Sequence, residues 1–280
     1  MQAANLTPKR PIWQVVHAKA VGSAHRISGL PCQDAADWRL LPSGILAVAL
    51  ADGAGSAPMA ESGANLAVAE ALAWLENSPA NQTPEDMGAW GSAVEQAFRS
   101  AREILLVEAN EAQLPPGAYA TTLTCLVAAS NGLVLGQVGD GAVIGRTTLG
   151  DLYTLTLPQR GDYANETLFL TMPDALEQAY FQAVELDLAG LAIMSDGLIR
   201  LALQLPGYTP HSPFFTPLWA FAARAGSGVQ ASQQLAEFLA SERVCSRTDD
   251  DKSLVIAVLP ESYNPDPAVD LTLLDANLED

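Results

Sequence analysis

The stretch TTLTCLVAASNGLVLGQVGDG, Thr121 to Gly141, sets two apolar runs of strand length, 121–129 and 133–138, on either side of Asn131-Gly132. Asn and Gly tolerate the positive φ that a tight two-residue turn demands, so the chain is expected to double back here as a hairpin. A further strand-like run, 142–148, follows Gly141, and another, 152–157, follows Gly150-Asp151. Short connections of this kind pair neighbouring strands antiparallel. Working outward, aliphatic and β-branched runs at 12–21, 44–51, 191–195 and 253–259 also read as strands bounded by Gly, Pro, Asn or Asp. Two Ala-rich stretches, 57–76 and 84–112, carry apolar residues at three- and four-residue spacing, such as Leu66, Ala69, Ala73 and Val94, Ala97, Ala101, Leu105. Asn77-Ser78-Pro79 closes the first, and Thr83-Pro84-Glu85-Asp86 caps the second. Helices are also predicted at 198–203 and 217–241. Strands and helices are clustered, with no βαβ alternation, which predicts an α+β fold with helices stacked outside an antiparallel core.

Composition limits what such a domain can do. The 280 residues include 32 acids against 14 Lys and Arg, a formal net charge of −18, yet 49% are hydrophobic and only 16% are charged. That apolar fraction excludes acidic disorder and suffices for a sizeable core, in one large domain or two small ones. Without repeats or a Gly/Ser linker, nothing in the sequence divides the chain. A field this negative repels a phosphate backbone and an anionic membrane, so neither nucleic acid nor membrane is an expected partner; metal cations are attracted. Cys32, Cys125 and Cys245 lack the spacing of zinc or redox motifs and are expected to be spectator thiols in a reducing compartment. No signal-peptide core and no run of about 18 apolar residues is visible, and a cytoplasmic monomer is expected.

The acids are informative by position. Asp52-Gly53-Ala54-Gly55 follows one apolar strand, Gly139-Asp140-Gly141 a second and Ser195-Asp196-Gly197-Leu198 a third; Asp249-Asp250-Asp251-Lys252 precedes the last. Asp-Gly is also a common turn dipeptide, so each pair alone has a purely structural explanation. Four aspartate-bearing segments at strand ends instead suggest one sheet edge lined with hard oxygen donors, suited to Mg²⁺ or Mn²⁺.

In sequence order these pieces resemble the metal-dependent type 2C (PPM) serine/threonine protein phosphatases, bacterial subgroup. The matching segments are Pro31-Cys32-Gln33-Asp34-Ala35, Ala51-Asp52-Gly53-Ala54-Gly55, Ala120-Thr121-Thr122, Val138-Gly139-Asp140-Gly141, Ser195-Asp196-Gly197-Leu198 and Asp250-Asp251-Lys252-Ser253. The resemblance implies an α-β-β-α sandwich, two antiparallel sheets flanked by helix pairs, over residues 12–260, with an N-terminal extension over 1–11 and an acidic tail over 261–280. It implies hydrolysis of phosphoserine and phosphothreonine in proteins by a water or hydroxide held between two metal ions. Asp34, Asp52 and Asp196 would be its catalytic residues. Asp52 would bridge the metals, the Gly53 carbonyl would bind one, and Asp196 and Asp250 would bind the other. Asp34 would be a ligand or a partner of bound water, and Asp140 with Asp196 would hold a third ion. Gathered carboxylates repel without their cations, so the metal-free site should be the less stable one. The implied partners are a phosphoprotein substrate and an opposing serine/threonine kinase; a catalytically idle, phosphoprotein-binding regulatory module is the alternative.

Departures from the family pattern leave some assignments open. Members commonly bind phosphate through an arginine closer to the first acidic motif, whereas Arg26 stands eight residues before Asp34 and His25 adjoins it, so either His25 or Arg26 could bind the phosphate. Animal members carry a histidine after the DG motif, where this chain has Ala54, which leaves protonation of the leaving group to metal-bound water. Asp251 stands in place of the usual asparagine, so the ligand could be Asp249, Asp250 or Asp251. Asn165-Glu166-Thr167 resembles a bacterial flap motif and is assigned to substrate access. Trp74, Trp90 and Trp219 sit in helical patterns, where packing in the core or along the helix is expected in place of a ligand role. Residues 261–280 hold six acids and no Lys or Arg, and a solvated tail is expected.

Overall fold

Leu46, Val48 and Leu50 point one way along the strand Leu46–Asp52, and Ala47, Ala49 and Ala51 point the other. Both faces are buried, the large side chains against a second sheet and the small ones beneath helices. The computed structural model describes residues 12–42, 44–159, 167–225 and 228–260. Its elements, in order, are β1 (Gln14–Ala20), α1 (Ser23–Ser28), β2 (Asp34–Leu40), β3 (Leu46–Asp52), α2 (Ala60–Glu76), α3 (Met87–Glu111), β4 (Leu123–Ala129), β5 (Gly132–Val138), β6 (Ala142–Thr147) and β7 (Leu152–Thr154). There follow α4 (Ala175–Gln178), β8 (Tyr180–Glu185), β9 (Leu188–Met194), α5 (Ile199–Ala202), β10 (Leu203–Gln204), β11 (Thr209–Pro210), α6 (Ser212–Ala225), α7 (Val229–Leu239), α8 (Glu242–Cys245) and β12 (Lys252–Val258).

One sheet runs β1-β12-β9-β6-β7 and the other β2-β3-β4-β5-β8, every neighbour antiparallel; β10 and β11 form a separate ribbon. Leu46, Val48, Leu50, Leu126 and Leu135 meet Val143, Leu191, Ile193 and Val255 between the sheets. Outside the second sheet, α2 and α3 cover Ala47, Ala49, Ala51, Cys125 and Val127. Outside the first, α6 and α7 cover Val16, Ala192, Leu254 and Ile256. The result is the expected four-layer α+β sandwich. Along β3 the small residues on the helix-facing side let α2 sit close, and the large ones fill the space between the sheets. No helix among the described residues is long and apolar enough to cross a membrane.

Several local expectations are corrected. The hairpin at 121–138 forms, but Ala129 pairs with Gly132, so the two-residue loop is Ser130-Asn131 and Gly132 already belongs to β5. Gly132 is needed for proximity: a Cβ there would lie 2.6 Å from the Val184 carbonyl oxygen of the neighbouring strand. Strands β2 and β8 carry no apolar run in the sequence because both are sheet edges and keep several side chains partly or fully exposed. Pro217 lies inside α6, which begins at Ser212. Trp90 and Trp219 are buried, but Trp74 lies off the stripe of α2 that faces the sheet and is 38% exposed. The extension over 1–11 and the tail over 261–280 lie outside the described residues.

The division of labour between the two faces of β3 has a measurable consequence. Leu50→Ala should cost about 2–5 kcal/mol through transfer and cavity terms, and Ala49→Leu about 1–3 kcal/mol through overpacking under α2, both read by chemical denaturation. Neutral outcomes at both positions would contradict this layering.

Candidate active site

Strand register decides which carboxylates meet. In the β2–β3 pair Asp34 stands opposite Asp52, so both side chains leave the same face, the one that Leu46, Val48 and Leu50 turn toward the other sheet. In that other sheet Met194 pairs with both Leu254 and Ala142, which brings together the chain just after β9 (Asp196), just before β12 (Asp250) and just before β6 (Asp140). All five aspartates therefore collect at one end of the gap between the sheets.

A serine joins the two halves. Ser195 Oγ donates to Asp34 Oδ2 at 2.8 Å and accepts from the Ser253 N–H at 2.9 Å. Two lysines hold the backbone of the acids: Lys19 Nζ donates to the Asp34 carbonyl at 2.8 Å, and the fully buried Lys252 Nζ donates to the Asp250 carbonyl at 3.1 Å. Thr121 Oγ1 donates to the Asp52 carbonyl and Thr122 Oγ1 accepts from the Asp52 N–H, both at 2.9 Å, so the Ala-Thr-Thr segment fixes the backbone of the DG motif.

The two central Asp-Gly pairs are not positive-φ turns. Gly53 and Gly197 are both outside the positive-φ set and serve close approach. A Cβ on Gly53 would lie 2.6 Å from the Ala60 carbonyl oxygen, and one on Gly197 would lie 2.0 Å from that of Asp251. Glycine lets the strand ends crowd together and leaves peptide groups bare beside the carboxylates.

The clustered acids shift one another. Burial pushes Asp34 up to about 7, opposed by hydrogen bonding from Ser195 and reinforced by the charges of Asp251 and Asp196. Asp52 is raised well above the ordinary carboxylate range by burial and then by Asp34 and Asp196. Burial and the charges of Asp140 and Asp250 raise Asp196 to about 6. Asp34 Oδ1 and Asp196 Oδ1 are buried without a hydrogen-bond partner among the described residues. Hard oxygen donors, mutual repulsion and two orphaned carboxylate oxygens fit a divalent cation. Among the described residues no three His, Cys, Asp or Glu side chains stand close enough to hold an ion as they are, so gathering them around one takes side-chain movement.

The aspartate run before β12 separates into distinct roles. Asp250 is exposed and acts on Asp52 and Asp196, whereas Asp251 is 2% exposed, adds its charge to Asp34 and is held in a cage of donors. Asp251 Oδ1 accepts the Gly22 N–H at 2.6 Å, and Oδ2 accepts the Gln33 N–H at 2.6 Å and His25 Nδ1–H at 2.9 Å. Of the two phosphate candidates, His25 is held by Asp251, and a Cβ on Gly55 of the DG loop would meet its Nε2 at 3.9 Å. Arg26 is exposed and directs Nη2 toward Cys245 Sγ at 3.8 Å. Asn165 and Glu166 lie outside the described residues; Thr167 Oγ1 donates to Asp140 Oδ2 at 2.9 Å, so the third residue of that segment touches the acidic cluster itself. Sequence reasoning missed Ser195 as the link between the sheets and Asp251 as the partner of His25. Their only signals were adjacency to Asp196 and to Asp250.

Three comparisons bear on this arrangement. Residues 21–240 match the family model described as Protein phosphatase 2C. Serine/threonine-protein phosphatase 3 of Escherichia coli (strain K12) is 34% identical over 263 residues, 89% of this chain and 99% of that relative. Among solved structures, serine/threonine phosphatase Stp1 from Staphylococcus aureus superposes with a TM-score of 0.63 at 13% identity, over 92% of this chain and 99% of that one. The Mycobacterium tuberculosis serine/threonine phosphatase PstP/Ppp does so with a TM-score of 0.59 at 18% identity, over 89% and 99%.

The raised carboxyls fix the sign of a pH effect. Between about pH 4 and pH 7 they hold protons in the folded chain that the unfolded chain has lost, so stability falls as pH rises, by about 1.4 kcal/mol per pH unit for each such proton. In chelator, the melting temperature should be higher at pH 5.5 than at pH 8, and Mn²⁺ or Mg²⁺ should raise it more at pH 8. Thermal melts across that range check this; a metal-indifferent melting temperature at both pH values would contradict it.

Proposed function

This chain belongs to the protein phosphatase 2C family, and from that premise we infer that it is an active enzyme, hydrolysing phosphoserine and phosphothreonine in proteins with the help of two or three Mn²⁺ or Mg²⁺ ions. The observation that carries this reading is the convergence of Asp34, Asp52 and Asp196 at one end of the inter-sheet gap, with Asp34 Oδ1 and Asp196 Oδ1 buried and unpartnered among the described residues.

In this reading Asp52, the Gly53 carbonyl, Asp196 and Asp250 would hold two ions, and Asp140 with Asp196 would hold a third. When bound, the ions would activate a water and offset charge on the phosphoryl oxygens during in-line displacement. The chain's own part is positioning. Ser195 fixes Asp34 at the edge of the site, Lys19 and Lys252 hold the backbone of Asp34 and Asp250, and Thr121 and Thr122 hold that of Asp52. His25, facing the DG loop, meets the phosphoryl group or the oxygen that leaves it. Metal binding displaces protons from Asp34 and Asp196, so affinity for the ions should rise from pH 6 to pH 8. A cytoplasmic, monomeric phosphatase opposing a cognate serine/threonine kinase belongs to the same reading.

Turnover of a phosphothreonine peptide is expected with Mn²⁺ or Mg²⁺ and not in chelator. Asp52→Asn and Asp196→Asn should each lower it by about 10²-fold or more, the several kcal/mol that metal-assisted charge stabilisation supplies. Phosphopeptide binding without hydrolysis, or turnover indifferent to metal and to both substitutions, would contradict the proposal.

A further inference from the structure

Asp251 stands where the family pattern has asparagine and donates its N–H to Asp250 Oδ1 at 2.8 Å, and among the described residues its own carboxylate is tightly held. Its two oxygens take backbone N–H donors from Gly22 and Gln33, both at 2.6 Å, which fixes the carboxylate in space. The remaining contact is His25 Nδ1 at 2.9 Å. A carboxylate only accepts, so the hydrogen of that bond sits on Nδ1, and the ring turns Nε2 toward Gly55 of the DG loop. His25 is 16% exposed in its side chain and Asp251 3%.

Nε2 looks toward the DG loop. It lies 3.9 Å from where a Cβ on Gly55 would stand, and nothing else comes within 4 Å of that point. Gly55, three residues after Asp52, is exposed and brings no side chain against Nε2, while Asp251 holds the N–H of Gln33 next to Asp34 and adds its charge to that carboxyl, which sets His25 beside the acidic cluster. Ala54, next to the DG pair, has no proton to give.

We propose that His25, held by Asp251, is the general acid that protonates the leaving oxygen of the substrate. This rests on the phosphatase reading above. In the step, a water oxygen forms its bond to phosphorus as the P–Oγ bond breaks, and the bonding pair leaves on the serine or threonine Oγ. The Nε2 proton of the imidazolium passes to that Oγ, which yields the free hydroxyl side chain and inorganic phosphate. Neutral imidazole keeps its Nδ1–H on Asp251 and takes a proton from solvent before the next turnover. Asp251 is a positioning residue. The reading replaces the expectation that leaving-group protonation falls to metal-bound water.

Leaving-group chemistry tests the proposal. An alkoxide needs a proton as it departs and a nitrophenolate does not, so a general acid matters for a phosphothreonine peptide and little for p-nitrophenyl phosphate. His25→Asn keeps a donor for Asp251 and His25→Gln reaches toward the Nε2 position, but neither amide can give up a proton. With Mn²⁺ present and melting temperatures matched to the parent, both variants should lower kcat on the peptide by about 10²–10⁴-fold, a loss at least about tenfold greater than on p-nitrophenyl phosphate. Asp251→Asn should show the same asymmetry at smaller size. Equal losses on both substrates, the signature of a phosphate-binding or structural histidine, would overturn the proposal and leave the phosphatase reading standing, as would undiminished turnover of the peptide. Failure of the unsubstituted chain to turn over either substrate with metal would overturn both.

Discussion

Asp34 and Asp52 stand directly opposite each other across β2 and β3, on the face that looks into the gap between the sheets. Like charges at paired positions are destabilising, and here the repulsion is aggravated by burial and by Asp196 arriving from the other sheet. A fold selected for stability alone would place apolar residues there, continuing the alternation of Leu46, Val48 and Leu50. The strand ends instead switch from leucine to aspartate on the same face, and much of the surrounding structure manages that switch.

The management is by hydrogen bonding and by close packing of backbone. Ser195 donates to Asp34 while receiving the Ser253 N–H, so one hydroxyl ties the two sheets together where their charges meet. Lys19 and Lys252 bond to carbonyls of the acidic residues, leaving carboxylate oxygens available. Gly53 and Gly197 admit backbone where any side chain would collide. Rigidity at the strand ends and repulsion at their tips together give a site that is strained toward protonation and receptive to cations, which is how a scaffold of ordinary antiparallel sheets comes to support phosphoryl chemistry.

The sheet-rich core was legible because β4, β5, β9 and β12 are buried on both faces and read as continuous apolar runs. The order of the Asp-Gly segments was legible because each ends or begins such a run. Strands β2 and β8 were not, since both keep several side chains partly or fully exposed and carry no apolar run. The aspartate run 249–251 was ambiguous in one dimension: which oxygen faces the cluster and which is caged by Gly22, Gln33 and His25 depends on where three separate segments come together. The same holds for Ser195, whose part is set by a register between sheets that no local pattern encodes. In the sequence Gly53 and Gly197 fit either a turn or a close approach of backbone, and the neighbouring carbonyls decide for the second.

If repulsion among Asp34, Asp52 and Asp196 is what the site is built to have relieved by cations, then ion binding must expel protons. The direct measurement is calorimetric titration of Mn²⁺ into the metal-free protein at pH 6.5 in buffers of different ionisation enthalpy, beside the Asp52→Asn variant. The account expects at least two ions to bind with net proton release, and the variant to bind fewer or weaker with less release. Absence of binding, or binding without proton release and unaltered by Asp52→Asn, would contradict it.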